Sequence, residues 1–244
     1  MAKQKDKKRS KLKNRLINFG LILMLLVGLG LIFNNQIKYF LMSLQPYDSR
    51  NFTAEDLARN NQKDTPFDFD GISPVSIQAV INARFNDAGL PIIGQIVIPD
   101  LDMRLPIFRG LSDTALLYGA GTMKPDQVMG KGNYALASHH IIGDESLLFS
   151  PLTRAKEGQM IFMTDLKNIY QYKISKIQIV YPDAVWVIDD VPGEKLITLV
   201  TCNDPAMTQR IIVTGELVKS KSVENATPEM IEALKTHVTQ ADWG

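Results

Sequence analysis

The uncharged run from Leu16 to Phe33 constrains this chain more than any other feature in it. As a helix rising about 1.5 Å per residue it covers roughly 27 Å, close to the hydrocarbon thickness of a bilayer. Just ahead of it stand Lys3, Lys5, Lys7, Lys8, Arg9, Lys11, Lys13 and Arg15, against only Asp6. Basic residues stay on the cytoplasmic side, so the N-terminus is expected inside and the chain from about Asn34 onward outside. Asn34, Asn35, Gln36 and Lys38 follow the run with no small-x-small cleavage site. An uncleaved plasma-membrane anchor is therefore expected rather than a signal peptide. No other segment is long and apolar enough to span, which predicts a single-pass protein.

What lies beyond the anchor is large enough for one core. The chain has 244 residues, 45% of them hydrophobic and 22% charged, too apolar for disorder and too polar for a polytopic membrane protein. The formal net charge of +1 hides a segregation, because the basic head leaves the remainder net negative. Nucleic acid is not an expected partner, since the basic residues sit on the cytoplasmic side of the anchor.

Along the external part the hydrophobic period changes. Gln45 to Ser73 is polar, with alternating Asp and Phe in Phe67-Asp-Phe-Asp70, and reads as a stalk whose aromatic residues can dock on the domain. Ile77, Val80, Ile81 and Phe85 follow one helical face between Pro74 and Gly89-Leu90-Pro91. Then the period becomes two. Leu101, Met103 and Leu105 alternate with Asp102 and Arg104, and Tyr170, Tyr172 and Ile174 with Gln171 and Lys173, as in half-buried strands. The apolar phase slips between Ile174 and Ile177, which predicts a β-bulge near Ser175 and Lys176. Further strands are expected at Ile92–Ile98, Tyr134–His139, Met160–Thr164, Leu196–Cys202 and Arg210–Val218. So many strands suit a closed barrel or a sandwich. Thr227 and Pro228 suit the N-cap and first position of a short helix through Leu234.

The chain's only cysteine, Cys202, ends a strand-like run and has no partner for a disulfide within the chain. Outside the cytoplasm cysteines usually pair, so a lone thiol there is a candidate nucleophile, or else a buried inert residue or an intermolecular link. A thiol nucleophile needs a group that stabilises the thiolate and returns a proton to the leaving amine. The strand-end pair His139-His140 is the obvious source, and adjacent strand residues face opposite ways, so only one of the two aims at Cys202. His237, on the terminal segment, is expected to be a surface residue. If the segments around the loop Asn203 to Gln209 pair as a hairpin, Arg210 lies across the ladder from Cys202. Its planar guanidinium would then suit substrate carbonyls or an oxyanion, unless it is simply a solvated strand-end side chain. Zinc is not expected, because adjacent His-His cannot converge easily on one ion and no CxxC or HExxH motif is present. Walker, GxGxxG and GxSxG motifs are also absent.

These residues resemble a known family. Leu199-Val-Thr-Cys202 with Arg210, Ala137-Ser-His139 at a strand end, Pro91-Ile-Ile-Gly94 with Ile98-Pro99, and a single N-terminal anchor are similar to sortases, the cysteine transpeptidases of Gram-positive surfaces. The resemblance is to the class A, housekeeping, streptococcal-like type and covers about Ser73 to Lys219. It implies a mainly β fold, an eight-stranded barrel with a few short helices. The domain plan that follows is a head at 1–15, anchor at 16–33, stalk at 34–73, catalytic barrel at 74–219 and polar tail at 220–244. The resemblance further implies Cys202 as nucleophile, His139 as general acid and base, and Arg210 as substrate and oxyanion support. Val185, Val187 and Ile188 on the loop Tyr181 to Lys195, with Thr201 and Met123, would contact substrate. By the same resemblance, that substrate is a secreted surface protein with a Leu-Pro-x-Thr-Gly signal. It is cut between Thr and Gly and passed to an amine of a lipid-linked peptidoglycan precursor. Some family members bind calcium near these loops. Asp190 matches one such position here, but Lys124 to Tyr134 offers only Asp126, so no cofactor or metal is expected. Two alternatives are a pilin-polymerising sortase, whose Asp-Pro-aromatic lid the Pro46-Tyr-Asp order does not supply, and a non-catalytic, membrane-anchored cell-wall binding module.

Overall fold

The structure, a computed structural model, describes residues 2–43, 52–67, 75–85 and 89–235. His237, most of the Phe67–Asp70 alternation and Pro74 lie outside them. The chain divides into two compact units, 1–41 and 42–244. In the first, helix α1 (Ala2–Ile32) contains the segment Asn14–Ile32, which is long and apolar enough to cross a membrane. A second helix, α2 (Asn34–Ser43), follows.

The second unit is a closed eight-stranded barrel in the order β1-β2-β3-β4-β7-β8-β6-β5. Its strands are β1 Ile92–Ile98, β2 Met103–Phe108, β3 Ala120–Thr122, β4 Asn133–Ala137, β5 Met160–Thr164, β6 Asn168–Val180, β7 Leu196–Cys202 and β8 Arg210–Ser222. All neighbours are antiparallel except β2–β3 and β4–β7. Closure leaves no free sheet edge. Along β1 all but Gln95 are buried, and β4 is buried throughout. Gly94 sits at a register shift in β1 where an added Cβ would stand 2.6 Å from the Thr164 carbonyl oxygen, so the strand bends there without a side chain.

Several expectations need correcting in detail. Leu101 is not in a strand. Pro99–Leu101 is a 3-10 turn ended by Asp102 in the left-handed region, and β2 starts at Met103. Strand β4 stops at Ala137, so both His139 and His140 lie beyond it. The register of β6 against β8 shifts between Ile174 and Lys176, as the slipped apolar phase predicts, and again between Gln171 and Tyr172. At the second shift the extra residue is Val218 of β8, and Gln171 is buried on the face it shares with Ile169, where its Nε2 donates to Glu229 Oε1.

Short helices cover the barrel. Helix α3 (Ala54–Asn60) carries a capping box between Thr53 and Asp56, and Asn60 Nδ2 donates to the Ile92 carbonyl. The segment after it stays on the barrel. The Leu111 amide donates to the Pro66 carbonyl, and the Arg109 guanidinium lies over the Phe67 ring at 5.3 Å. Helix α4 (Ile77–Phe85) follows, and α5 (Asp113–Tyr118) is capped by the Ser112 hydroxyl. Helix α6 (Pro228–Lys235) starts where Thr227 Oγ1 accepts from the Met230 amide, and it buries Met230 and Ala233. Neither α5 nor the three-residue β3 has a long enough periodic pattern to stand out in the sequence.

Candidate active site

Three strands bring the candidate residues together. The β7–β8 register pairs Cys202 with Arg210, as the hairpin reading expects. The parallel β4–β7 register ends at Ala137 and Val200, and continuing it puts residue 139 level with residue 202. Beyond the ladder the two chains remain tied. The Ser138 amide donates to the Val200 carbonyl at 3.3 Å, and Thr201 Oγ1 donates to the Ser138 carbonyl at 2.9 Å. Thr201 thus spends its hydroxyl on this tie and is 2% exposed.

Cys202 is a free, half-buried thiol. Burial raises its pKa, the Arg210 charge lowers it and Asp204 raises it, with burial prevailing. His139 is likewise half-buried. Desolvation pulls its pKa from the usual 6.5 to about 4, against the opposing charge of Asp113. Both shifts favour the uncharged pair, a thiol beside an imidazole.

Arg210 is held by its own loop. Its Nη1 donates to the carbonyls of Met207 at 2.7 Å and Gln209 at 3.1 Å. Asp204 organises that loop by accepting from the Thr208 amide, the Thr208 hydroxyl and the Gln209 amide, while Met207 takes a left-handed φ of 56°. These bonds hold the Asp204 carboxyl below its usual range.

Beside Cys202 lies an apolar floor. Leu111, Leu116, Ala137, Val200 and Ile212 form a buried cluster, with Met123, Val180, Val187 and Ile188 packed on it. Met123, Val187 and Ile188 are therefore brought together, whereas Val185 is 72% exposed and stands outside the cluster. The loop between β6 and β7, with its 3-10 turn Val185–Ile188, is pinned by residues that its own sequence does not contain. Asn133 Nδ2 donates to the Val187 and Asp189 carbonyls, and Asn133 Oδ1 accepts from the Thr198 hydroxyl. Asp190 Oδ1 accepts from Lys124 Nζ at 2.6 Å and from the Asn133 amide at 2.8 Å, which lowers the carboxyl's pKa, the Lys124 bond foremost. Gly132, at φ 53°, is required here because a Cβ would lie 2.5 Å from Asp190 Oδ2.

A sortase domain model matches residues 96–218, half of the chain. The chain is 41% identical to sortase A of Streptococcus agalactiae over 90% of its own length and 91% of that protein's. The chain belongs to the sortase family. It is also 38% identical to sortase A of Listeria monocytogenes, over 83% of this chain and 91% of that one. The crystal structure of Listeria monocytogenes sortase A superposes with a TM-score of 0.53 at 42% identity, covering 58% of this chain and 94% of the other. These relatives place the sortase with class A.

The Asp190 carboxylate holds the Lys124 ammonium, and among the described residues no three His, Cys, Asp or Glu side chains converge. Sequence patterns did not single out Asn133, Lys124, Asp204 or Leu111 as site residues. Asn133 closes the turn-forming run Gly130-Lys-Gly-Asn133, a local signal that points to its position.

Proposed function

We propose that this sortase is a housekeeping transpeptidase of the streptococcal type. In this reading it cuts Leu-Pro-x-Thr-Gly signals between Thr and Gly and joins the Thr carboxyl to an amine of a peptidoglycan precursor. The observation that carries the reading is the pairing of Cys202 with Arg210 across β7–β8, with His139 level with Cys202 at the end of β4.

The chemistry follows from what each group can do. Cys202 Sγ attacks the Thr carbonyl carbon as its proton passes to His139, giving a thiolate-derived nucleophile and an imidazolium. Because burial disfavours both charged forms at rest, the proton moves as the C–S bond forms rather than before it. The tetrahedral oxyanion is stabilised by Arg210, which its loop carbonyls hold beside the cysteine. On collapse the C–N bond breaks and the imidazolium protonates the departing glycine amine. The acceptor amine then attacks the thioacyl carbon, gives a proton to His139 and expels Cys202 as the thiol. The floor around Leu111, Val200 and Ile188 suits the apolar leucine of the signal.

The basic head and helix α1 suit a chain anchored with its N-terminus in the cytoplasm and its barrel, which runs past the expected end at 219 to Ser222, on the outer face. There both a secreted substrate and a lipid-linked acceptor are confined near the membrane, and tethering raises their effective concentration. Incubating the chain with a fluorescence-quenched Leu-Pro-x-Thr-Gly peptide and an amine tests the proposal. Cleavage and an amide product, both lost in Cys202→Ala, are expected. Products that persist in that variant, or none from the wild type, would refute it, the latter favouring a binding module.

A further inference from the structure

Two histidines follow β4, and the reaction above uses only one. The other, His140, places its Nδ1 2.8 Å from the carbonyl oxygen of Cys202. A carbonyl oxygen only accepts, so Nδ1 carries the proton, and in the neutral ring Nε2 is left as the acceptor. This is the furthest of the ties that continue the β4–β7 pairing past its last backbone pair, after Ser138 to Val200 and Thr201 to Ser138. His139 lies between two of these ties, and its own carbonyl accepts from the Phe149 amide at 3.1 Å. His140 is itself seated, bridging to Leu148, while the next amide, that of Ile141, donates to Ser150 Oγ at 2.8 Å. The imidazole therefore joins the segment that carries the proposed base to the residue that carries the thiol.

We propose that His140 is a positioning residue for the Cys202–His139 pair, its imidazole N–H fixing the Cys202 carbonyl and so the direction in which the thiol points. This rests on the transpeptidase reading. The physical reason is geometric. Cys202 is the last residue of β7 and leads into a loop, and a reacting atom misplaced by about 1 Å costs on the order of a hundredfold in rate.

Three variants of the full chain in detergent micelles separate the donor from mere bulk. His140→Asn places an amide N–H where Nδ1 stood. His140→Gln places it further out, where Nε2 stood, and His140→Phe keeps the ring without a donor. With the quenched peptide, kcat is expected to fall about tenfold in the Gln and Phe variants with KM unchanged, and to stay near wild type in the Asn variant. The rate of alkylation of Cys202 by iodoacetamide is expected to follow the same order, and it needs no peptide. A chain that is alkylated at Cys202 yet never cleaves peptide would refute the proposed function and leave alkylation to judge His140. Asn and Gln variants that behave alike in alkylation, or a Phe variant at the wild-type rate, would overturn the inference. An Asn variant as inactive as His139→Ala would overturn it too, because proton transfer by His140 itself would then be what the site needs.

Discussion

Replacing Asn133 by alanine is expected to free the substrate loop while sparing the barrel. Asn133 is 2% exposed and makes three side-chain hydrogen bonds, to the Val187 and Asp189 carbonyls and from Thr198 Oγ1. Alanine removes two donors to loop carbonyls, at about 1 kcal/mol each. Thr198, which loses its acceptor, already stands 3.5 Å from the Val187 carbonyl and can turn to it, recovering part of the loss. Asp190 keeps its bond from the backbone amide of residue 133, so the loop stays tethered at one point. The net cost is then about 2 kcal/mol, or roughly a thirtyfold rise in the opening equilibrium of the loop. Amide hydrogen exchange reads this directly. The amides of Val187 and Asp189, bonded within the loop to Ala184 and Trp186, are expected to exchange roughly thirtyfold faster, with those of β7 and β8 unchanged. KM for the sorting peptide should rise as Val187 and Ile188 leave the apolar floor. Exchange within about threefold of wild type would refute the role given to Asn133, as would equal acceleration in the barrel strands, which would make it a support of the barrel.

Asp204→Ala is expected to slow turnover of the quenched peptide. It dismantles the loop that holds Arg210 beside Cys202, so an unchanged rate would contradict the role given to that loop. The pH dependence of stability should reveal His139. Its folded pKa of about 4 lies below the usual 6.5, so from pH 6.5 downward the unfolded chain takes up a proton that the folded chain refuses. Stability present above that range is lost as the pH falls toward 4. Thermal denaturation of His139→Gln should show a shallower loss across the same window than wild type, and an identical slope would contradict the burial assigned to this ring.

Legibility in the sequence divides by range. The helix long and apolar enough to cross a membrane was legible because an uncharged run of 18 residues is a local pattern. The bulge after Ile174 was legible because a one-residue slip changes the parity of a strand's apolar face. Arg210 could be set opposite Cys202 because a hairpin's register is fixed by the short loop it closes. The burial of Gln171 left no such mark, since Gln171 finds its partner Glu229 on a helix far along the chain. The reading that the spacer's aromatic residues can dock is met by Phe67 under Arg109, but the polar ties of Asn60 and Lys63 were hidden, because polar composition does not distinguish a free spacer from a strap whose polar groups meet those of the barrel.

By itself, then, the sequence determined a segment long and apolar enough to cross a membrane, most of the strands and the identity of a thiol, two imidazoles and a guanidinium gathered near strand ends. Only the tertiary structure decided how those groups are held. The parallel pairing of β4 with β7 joins residues more than sixty positions apart, and no local period sets such a register. That pairing puts His139 level with Cys202, gives the His140 ring the Cys202 carbonyl, and brings Asn133 beneath the loop between β6 and β7. Each contact depends on burial and on where a distant backbone presents its carbonyls, which closing the barrel fixes and the residue types alone do not.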